Sequence, residues 1–286
     1  CRMMERPNKE GFAQMKIRGD FHTHTTYCDG KSTPREMVEA AYRMGLTDFG
    51  ISGHADYSMY EPGFGMSDAI LASYKQELQK LKEEYAGKLN LYIGIELDVL
   101  GPRQQADYAI GSTHSVLKNG QLVCVDDTEE KLVQGVETLW NGDWYAFAKD
   151  YYELEGTVYD RLKCDWVGHF DLLTKFNEGY KHFDETKDAY LEPALAAMKK
   201  LHGQGLPFEI NTGAMSRGYR TAPYPNRILL KELHAMGGRI IINSDSHAVN
   251  TIGYHFNQAV KVARSCGFDR TLILKPSGGF REIYLP

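Results

Sequence analysis

The 286-residue chain lacks the features that define several large classes of protein. It contains no run of about 18 apolar residues, so we expect no membrane-spanning helix. Its formal net charge is −5, and it therefore lacks the basic excess that is typical of a nucleic-acid-binding protein. It has no GxSxG motif, which excludes the simplest serine hydrolase. We therefore expect a globular protein with no membrane and no nucleic acid among its partners.

Cysteine is also scarce. The five cysteines, at positions 1, 28, 124, 164 and 266, are odd in number and include no CxxC pair. A disulfide framework is therefore not expected. The N-terminal stretch CRMMERPNKEGF is polar and has no apolar core of the kind found in signal peptides. These features predict a reducing compartment, with the cytoplasm as the default location.

Short apolar runs alternate with longer amphipathic stretches along the chain. The runs are rich in Val, Ile, Leu, Phe or Tyr and predict buried strands at 16–21, 47–52, 89–96, 106–112, 164–168, 206–211, 238–243 and 269–274. Helices are predicted between them, at 32–45, 67–87, 144–162, 184–205 and 225–238. The stretch KNGQLV, 118–123, predicts a hairpin turn instead.

Strands that alternate with helices predict parallel pairing and right-handed crossovers. Seven or eight such units favour a closed (β/α) barrel, with an open doubly wound sheet as the alternative. No composition shift or long linker divides the chain. We therefore expect one α/β domain over 1–286, with 1–15 as an N-terminal extension.

Side chains that can bind metal lie at or just after the ends of the predicted strands. They are His22, His24, His54, Glu96, His114, His169, Asp245 and His247. In a parallel barrel these ends meet on one face. Positions i and i+2 of a strand also share a face, so His22 and His24 can point at one ion. Imidazole and carboxylate ligands suit Zn, Fe or Mn, and their number predicts two or three ions, with Glu96 as a bridging ligand.

Structural roles fit the other histidines better, and these are His182, His202, His234 and His255. His255 is expected on the last long helix. Cys28, beside Asp29, fits a packed thiol better than a soft metal ligand. Taken alone, even an HxH pair could be an ordinary hydrogen-bonded pair. It is the joint placement at strand ends that favours a metal centre.

Seven sequence blocks, in this order, resemble the PHP (polymerase and histidinol phosphatase) family. They are DFHTHTTYCDG, GISGHAD, IGIELD, YAIGSTHSV, VGHFDLL, FEINTG and INSDSH. The similarity runs from about residue 17 to 268 and is greatest to the histidinol-phosphatase branch. It implies a distorted (βα)7 TIM-like barrel with a trinuclear metal centre at the C-terminal ends of the strands. It also implies hydrolysis of a small-molecule phosphate ester, L-histidinol phosphate, by a metal-bridging hydroxide.

The resemblance also implies three sets of metal ligands. The first ion would be bound by His22, His24, Glu96 and Asp245. The second would be bound by Glu96, His114 and His169. The third would be bound by His54, His247 and Asp29. Many relatives have a histidine at the last of these positions, where this chain has an aspartate.

Two arginines are candidates for binding the phosphate of the substrate. Arg217 and Arg220 lie in the loop at 211–225, after the sixth predicted strand, and relatives use an arginine from this loop. Guanidinium groups suit bidentate contact with phosphate, so at least one of the pair is expected to bind it. Three residues after the second strand could meet a cationic part of the substrate, namely Asp56, Tyr57 and Glu61.

Other functions stay open at this point. The same family could act on another phosphate ester, such as a nucleotide, a sugar phosphate or a phosphodiester. Amidohydrolase-type metal enzymes also begin with HxH, but they usually place a bridging lysine at strand four, whereas Glu96 ends strand three here. A noncatalytic metal-binding module is a further alternative. The sequence leaves the oligomeric state open.

Overall fold

The structure, a computed structural model, describes residues 17–55 and 65–286. The strands within these residues are Gly19–Asp20 (β1), Asp48–Ile51 (β2), Asn90–Asp98 (β3), Tyr108–Ser112 (β4), Ser115–Lys118 (β5), Gln121–Cys124 (β6), Trp166–Val167 (β7), Phe208–Asn211 (β8), Ile240–Asn243 (β9), Arg270–Leu274 (β10) and Phe280–Tyr284 (β11). Nine of them form one sheet in the order β1-β2-β3-β4-β7-β8-β9-β10-β11, and β5 and β6 form a separate hairpin. Neighbours in the large sheet are parallel except β10 and β11. The prediction of a mostly parallel α/β sheet is confirmed.

Helices connect most of the parallel strands. Those in the described residues are Pro34–Arg43 (α1), Asp68–Glu84 (α2), Glu129–Trp140 (α3), Trp144–Glu155 (α4), Val158–Leu162 (α5), Asp188–Gly203 (α6), Gly213–Ser216 (α7), Arg227–Ala235 (α8) and Phe256–Ser265 (α9). Local sequence fixes where α1 begins, because Thr33 and Glu36 form a capping box around Pro34. None of these helices has the length and apolar character that crossing a lipid bilayer requires.

The hairpin turn predicted from KNGQLV is confirmed. Strands β5 and β6 pair in antiparallel register, with Lys118 opposite Gln121. The two residues between them, Asn119 and Gly120, both have positive φ angles, of 52° and 78°. That backbone conformation is typical of the tight two-residue turns that join antiparallel strands.

Other local predictions were wrong or incomplete. The helix predicted over 144–162 is divided into α4 and α5, with Gly156 and Thr157 between them. His255 does not lie on the last helix but precedes it, as the N-cap of α9 with a φ of 54°. The sequence did not predict α3 or β11.

The expected closed seven-stranded barrel is not confirmed, because the nine strands of the described sheet pair in an open order. Strands β1 and β9 of this sheet nevertheless approach each other beyond their ends. An isolated parallel bridge joins Thr23 to Ser246, where His24 N donates to Ser246 O at 2.7 Å and Ser246 N donates to His22 O at 3.2 Å. This contact brings the segment after β1 beside the segment after β9.

Two apolar clusters lie on either side of the sheet. The larger one packs helices against the strands. The smaller one is dominated by large buried side chains and is covered by Phe280 and Ile283 of β11. We call it the aromatic layer, and it consists of Phe21, Tyr92, Tyr108, Ile110, Trp166, Ile241, Leu272, Ile273 and Leu274.

Candidate metal centre

Glu96, near the end of β3, lies at the middle of a group of imidazoles. Its Oε2 atom is 3.1 Å from His22 Nε2 and 3.1 Å from His54 Nδ1. Its Oε1 atom is 2.9 Å from His169 Nε2 and 3.2 Å from His114 Nε2. The side chain is 1% exposed. Because its two oxygens face different imidazoles, Glu96 has the geometry of a carboxylate that two ions could share.

The surroundings of His24 test whether a cation fits this site. Its Nε2 atom is buried and makes no hydrogen bond with the described residues, although Glu96 Oε2 and Asp245 Oδ1 each lie 3.4 Å away. Burial, together with the nearby imidazoles of His247 and His54, lowers the pKa of His24 to about 3. A divalent cation suits the space between this neutral imidazole and the two carboxylate oxygens, because His24 Nε2 faces both oxygens without a hydrogen bond to either.

A third part of the cluster forms around Asp29. His247 Nε2 lies 3.0 Å from Asp29 Oδ2, and His54 Nε2 lies 3.7 Å from Asp29 Oδ1. His24 Nδ1 is 3.6 Å from the same oxygen. Burial alone would raise the pKa of Asp29, but His54 and the other two imidazoles outweigh it and hold this pKa well below its usual range. Asp29 is therefore ionised, at the position where the resemblance implies a third ion.

Residues 17–55 and 65–286 contain four sets of possible metal ligands, and within each set the ligand atoms lie within 4.8 Å of one another. They are His22, His24 and Glu96; His54, Glu96 and His114; His22, His169 and Asp245; and His24, Asp29, His54 and His247. All nine side chains that were predicted as ligands belong to this cluster. The sets differ in detail from those implied by the resemblance, since His24 joins the set around Asp29 and His169 groups with Asp245. Their role as ligands stays a prediction.

Glu209 of β8 accepts hydrogen bonds from two histidines of the cluster, and sequence reasoning missed it. It is fully buried and accepts hydrogen bonds from His22 Nδ1 at 2.9 Å and from His169 N at 3.1 Å. Asn211 and Asn243 donate to the same carboxylate at 2.8 Å. A hydrogen bond to Nδ1 fixes the imidazole so that Nε2 faces the centre. A carboxylate within the apolar strand FEIN was the available signal, because such groups are rarely buried without a partner.

Asp98 plays the same part for His114 and was also missed. Its Oδ2 atom accepts hydrogen bonds from His114 N at 2.9 Å and from His114 Nδ1 at 3.1 Å. It lies two residues after Glu96 on β3 and therefore on the same face of the strand. The spacing of two residues from Glu96 was the sequence signal. Strand β3 thus supplies both the central carboxylate, Glu96, and Asp98, which orients the His114 imidazole that faces Glu96.

Arg217 lies at the edge of this cluster. Its Nη2 atom donates to Asp245 Oδ2 at 2.9 Å, its Nη1 atom is 3.1 Å from His247 Nδ1, and its side chain is 30% exposed. A Cβ atom at Gly213 would meet Asp245 Oδ2 at 2.4 Å and Arg217 Nη2 at 2.8 Å. Residue 213 therefore has to be glycine for the arginine and the aspartate to approach each other.

Arg220 takes a different position. Its Nη1 atom donates to Glu185 Oε1 at 2.9 Å and to Thr174 O at 2.7 Å, and its Nε atom lies 3.4 Å from Glu178 Oε2. These partners come from the loop after β7 and not from the cluster. Arg220 therefore ties two loops together, whereas Arg217 contacts the cluster itself. The acidic and aromatic candidates Asp56, Tyr57 and Glu61 lie outside the described residues.

Cys28 and His182 have the local contacts of structural residues. Cys28 Sγ lies 3.5 Å from His24 Nδ1, and burial raises the pKa of this thiol to about 12, so it stays protonated. His182 Nε2 lies 2.7 Å from Glu129 Oε1, and its ring stacks on Trp144 with centroids 4.7 Å apart. Within the described ranges, neither residue belongs to a set of possible metal ligands.

The fold and the cluster together define a class, that of α/β proteins with a histidine- and carboxylate-rich metal-binding centre at the ends of parallel strands. A model of the PHP domain matches residues 20–213. The chain belongs to the PHP domain family, which confirms the resemblance noted in the sequence.

Several relatives match nearly the whole chain. A Deinococcus radiodurans protein named "Probable histidinol-phosphatase" is 31% identical over 262 residues, covering 87% of this chain and 93% of the relative. The Bacillus subtilis "Histidinol-phosphatase" is 23% identical over 265 residues, covering 83% of this chain and 96% of the relative.

Two solved structures share the fold. HisK from Listeria monocytogenes has a TM-score of 0.74 at 21% identity, covering 84% of this chain and 98% of that chain. Histidinol phosphate phosphatase from Lactococcus lactis, complexed with Zn, L-histidinol and phosphate, has a TM-score of 0.63 at 20% identity, covering 92% of this chain and 98% of that chain.

Proposed function

We propose that this chain is a metal-dependent phosphomonoesterase that hydrolyses L-histidinol phosphate to L-histidinol and phosphate. The observation that carries the proposal is the convergence of nine imidazole and carboxylate side chains beside Arg217. Such a centre can hold cations and a phosphate group together. The choice of substrate is supported by relatives named histidinol-phosphatase that match over nearly their full length.

We propose two or three divalent ions, of Zn, Fe or Mn, as the cofactors of this cluster. When bound, such ions polarise phosphoryl oxygens and lower the pKa of coordinated water. The ligands would be the nine residues predicted from the sequence, His22, His24, Asp29, His54, Glu96, His114, His169, Asp245 and His247. Donor chemistry supports this choice, because imidazole and carboxylate groups suit all three metals.

The remaining contributions come from side chains around the ligands. Arg217 would bind the phosphate through the guanidinium edge that now contacts Asp245, and its partial exposure leaves it accessible. Glu209 and Asp98 hold His22 and His114 in fixed orientations. Burial of these groups excludes bulk water and so strengthens every charge interaction in the centre.

Two further expectations belong to this proposal. The Thr23–Ser246 bridge supports closure of β1–β4 and β7–β9 into a distorted (βα)7 barrel, with β10 and β11 outside it. The described cysteines are all free thiols, which supports a cytoplasmic protein.

The test is phosphate release by purified protein whose metal content has been measured. We expect two or three ions per chain and faster hydrolysis of L-histidinol phosphate than of a nucleotide, a sugar phosphate or a phosphodiester. Preference for one of those other esters would keep the phosphoesterase and reject the substrate. Folded protein with one ion or none, and no phosphatase activity after metal is added, would reject the proposal.

A further inference from the structure

Asp126 is a carboxylate beside the centre that has no role in the proposed chemistry. It follows the hairpin of β5 and β6, where Val125 N donates to His114 O at 2.8 Å. That hydrogen bond places Asp126 next in the chain to a residue fixed against the cluster. Its side chain is 21% exposed, so a ligand can reach it, and it belongs to none of the four sets of possible metal ligands.

Among the described residues, one carboxylate oxygen of Asp126 accepts no hydrogen bond. Cys124 Sγ donates to Oδ1 at 3.2 Å. Lys175 Nζ donates to the backbone oxygen of Asp126 but lies 4.0 Å from Oδ2, beyond hydrogen-bonding distance. The lysine is itself held over the rings of Phe176 and Tyr219, with Nζ 5.2 Å and 4.9 Å from the ring centroids. Oδ2 therefore forms only a long ion pair with Lys175 and accepts no hydrogen bond from the described residues.

Asp126 carries a negative charge in otherwise cationic surroundings. Burial raises its pKa, but Lys175 and His114 outweigh burial and bring the pKa below its usual value. Lys175, which contacts Asp126, also lies against the ring of Tyr219, two residues after Arg217 in the same loop. An ionised carboxylate therefore lies beside the loop that carries the arginine that we assign to the phosphate.

A buried hydroxyl in the same region points independently to a polar ligand. Tyr224 is 1% exposed, and its hydroxyl group has no hydrogen-bond partner in the described part of the chain. The backbone of Tyr224 pairs with that of Asn211, whose side chain donates to Glu209 next to the cluster. Leaving a buried hydroxyl without a partner costs free energy, so a bound polar molecule would stabilise it.

We propose that Asp126 binds the ammonium group of the leaving alcohol, so that the centre selects phosphate monoesters of amino alcohols. This inference rests on the proposed function and names the residue that determines its specificity. A substrate with a phosphate at one end and an ammonium group nearby needs opposite charges a short distance apart in the protein. Arg217 and the metal-loaded cluster supply the positive charge for the phosphate, and Asp126 supplies the negative charge for the ammonium group. A carboxylate that must pair with an ammonium group discriminates strongly against an analogue that lacks one.

The test compares two substrates that differ only in the amine. They are L-histidinol phosphate and its des-amino analogue, 3-(imidazol-4-yl)propyl phosphate. We expect the metal-loaded wild-type protein to prefer the amine by at least about tenfold in kcat/KM. In Asp126→Asn this ratio should fall to within about threefold of one, because the amide no longer attracts the ammonium group. Asp126→Ser gives the same readout if the first variant does not fold.

The neighbouring residue provides the matched control. Asp127 is a surface carboxylate that pairs with Lys131 at 2.6 Å, so Asp127→Asn should keep the wild-type ratio. An unchanged ratio in the Asp126 variants would overturn the inference, since a structural role acting through Lys175 would slow both substrates equally. A wild-type ratio near one would also overturn it while leaving the proposed function intact. Failure of the wild-type protein to hydrolyse either ester would instead reject the proposed function, and the inference with it.

Discussion

The two ends of the central strands bury very different side chains. Toward the N-terminal ends lies the aromatic layer, and toward the C-terminal ends lies the cluster of imidazoles and carboxylates. Strand β3 passes through both, because Tyr92, Gly94, Glu96 and Asp98 share one face of it. The first belongs to the aromatic layer and the last two to the polar end. Four residues along one strand, from Tyr92 to Glu96, thus separate packing from chemistry.

The aromatic layer stabilises the fold through close packing. Tyr108 stacks on Trp166 with ring centroids 5.0 Å apart, and its hydroxyl donates to Phe21 O at 2.6 Å. A Cβ atom at Gly94 would lie 2.1 Å from Tyr108 Cζ, so glycine is required there. The polar end has the opposite character, because charges and imidazoles are buried there at a cost in free energy unless ions or hydrogen bonds compensate. Stability and function should therefore respond separately to substitution.

The largest effect is expected from Glu96→Gln at the polar end. This change removes the charge that faces five imidazoles, so we expect loss of bound metal and a fall in kcat/KM of about 1,000-fold or more, larger than the 10–100-fold typical of supporting residues. Metal analysis and steady-state kinetics on L-histidinol phosphate measure both. Glu192→Gln, on the exposed side of α6, is the matched control. Full metal content in the Glu96 variant would contradict the central place given to this carboxylate.

The second test is Trp166→Ala in the aromatic layer. Trp166 is fully buried, so its truncation should lower the free energy of unfolding by about 3–5 kcal/mol. Urea unfolding measures this loss, and Trp144→Ala, at a half-buried position on α4, should cost less. The folded fraction of the Trp166 variant should keep its metal. If metal is lost while stability is kept, the separation between the two ends is wrong.

The sequence predicted the polar end better than the details around it. Histidines at strand ends are unusual enough to stand out, and a parallel sheet brings such ends together whatever their distance along the chain. The strands were found for a related reason, since short apolar runs between glycines have few other interpretations. By contrast, α3 and β11 were missed. The outer strand β11 is largely exposed and lacks a buried apolar run.

The supporting residues could not be ranked from the sequence. Glu209 is one polar residue within an apolar strand, and only its contact with His22 shows that it orients an imidazole. Arg217 and Arg220 lie three residues apart in the same loop and are chemically identical. What separates them is Glu185, a residue remote in sequence that pairs with Arg220. Such distinctions depend on tertiary contacts that no local pattern records.

The two arginines offer the third test. Arg217→Ala should lower kcat/KM by about 100-fold, because a bidentate cation beside the centre is lost. Arg220→Ala should act mainly on stability, since it leaves Glu185, with a side chain only 4% exposed, without its cation. Kinetics and urea unfolding on both variants give the comparison directly. A larger kinetic defect in the Arg220 variant would reverse our assignment of the phosphate contact.

The smallest effect should come from Asp98→Asn. This change replaces none of the proposed ligands and alters only the hydrogen bond that orients the His114 imidazole. The amide can still accept a hydrogen bond from His114 Nδ1, but it lacks the negative charge that increases the basicity of the ring. We expect metal affinity to fall by about 10–100-fold, with the free energy of unfolding of the metal-free protein changing far less. Competition with a chelator measures the affinity. Asp160→Asn, at an exposed carboxylate paired with Lys200, should leave it unchanged. Equal affinities in the wild-type protein and the Asp98 variant would show that the polar end depends on its ligands alone, without the hydrogen bonds beneath them.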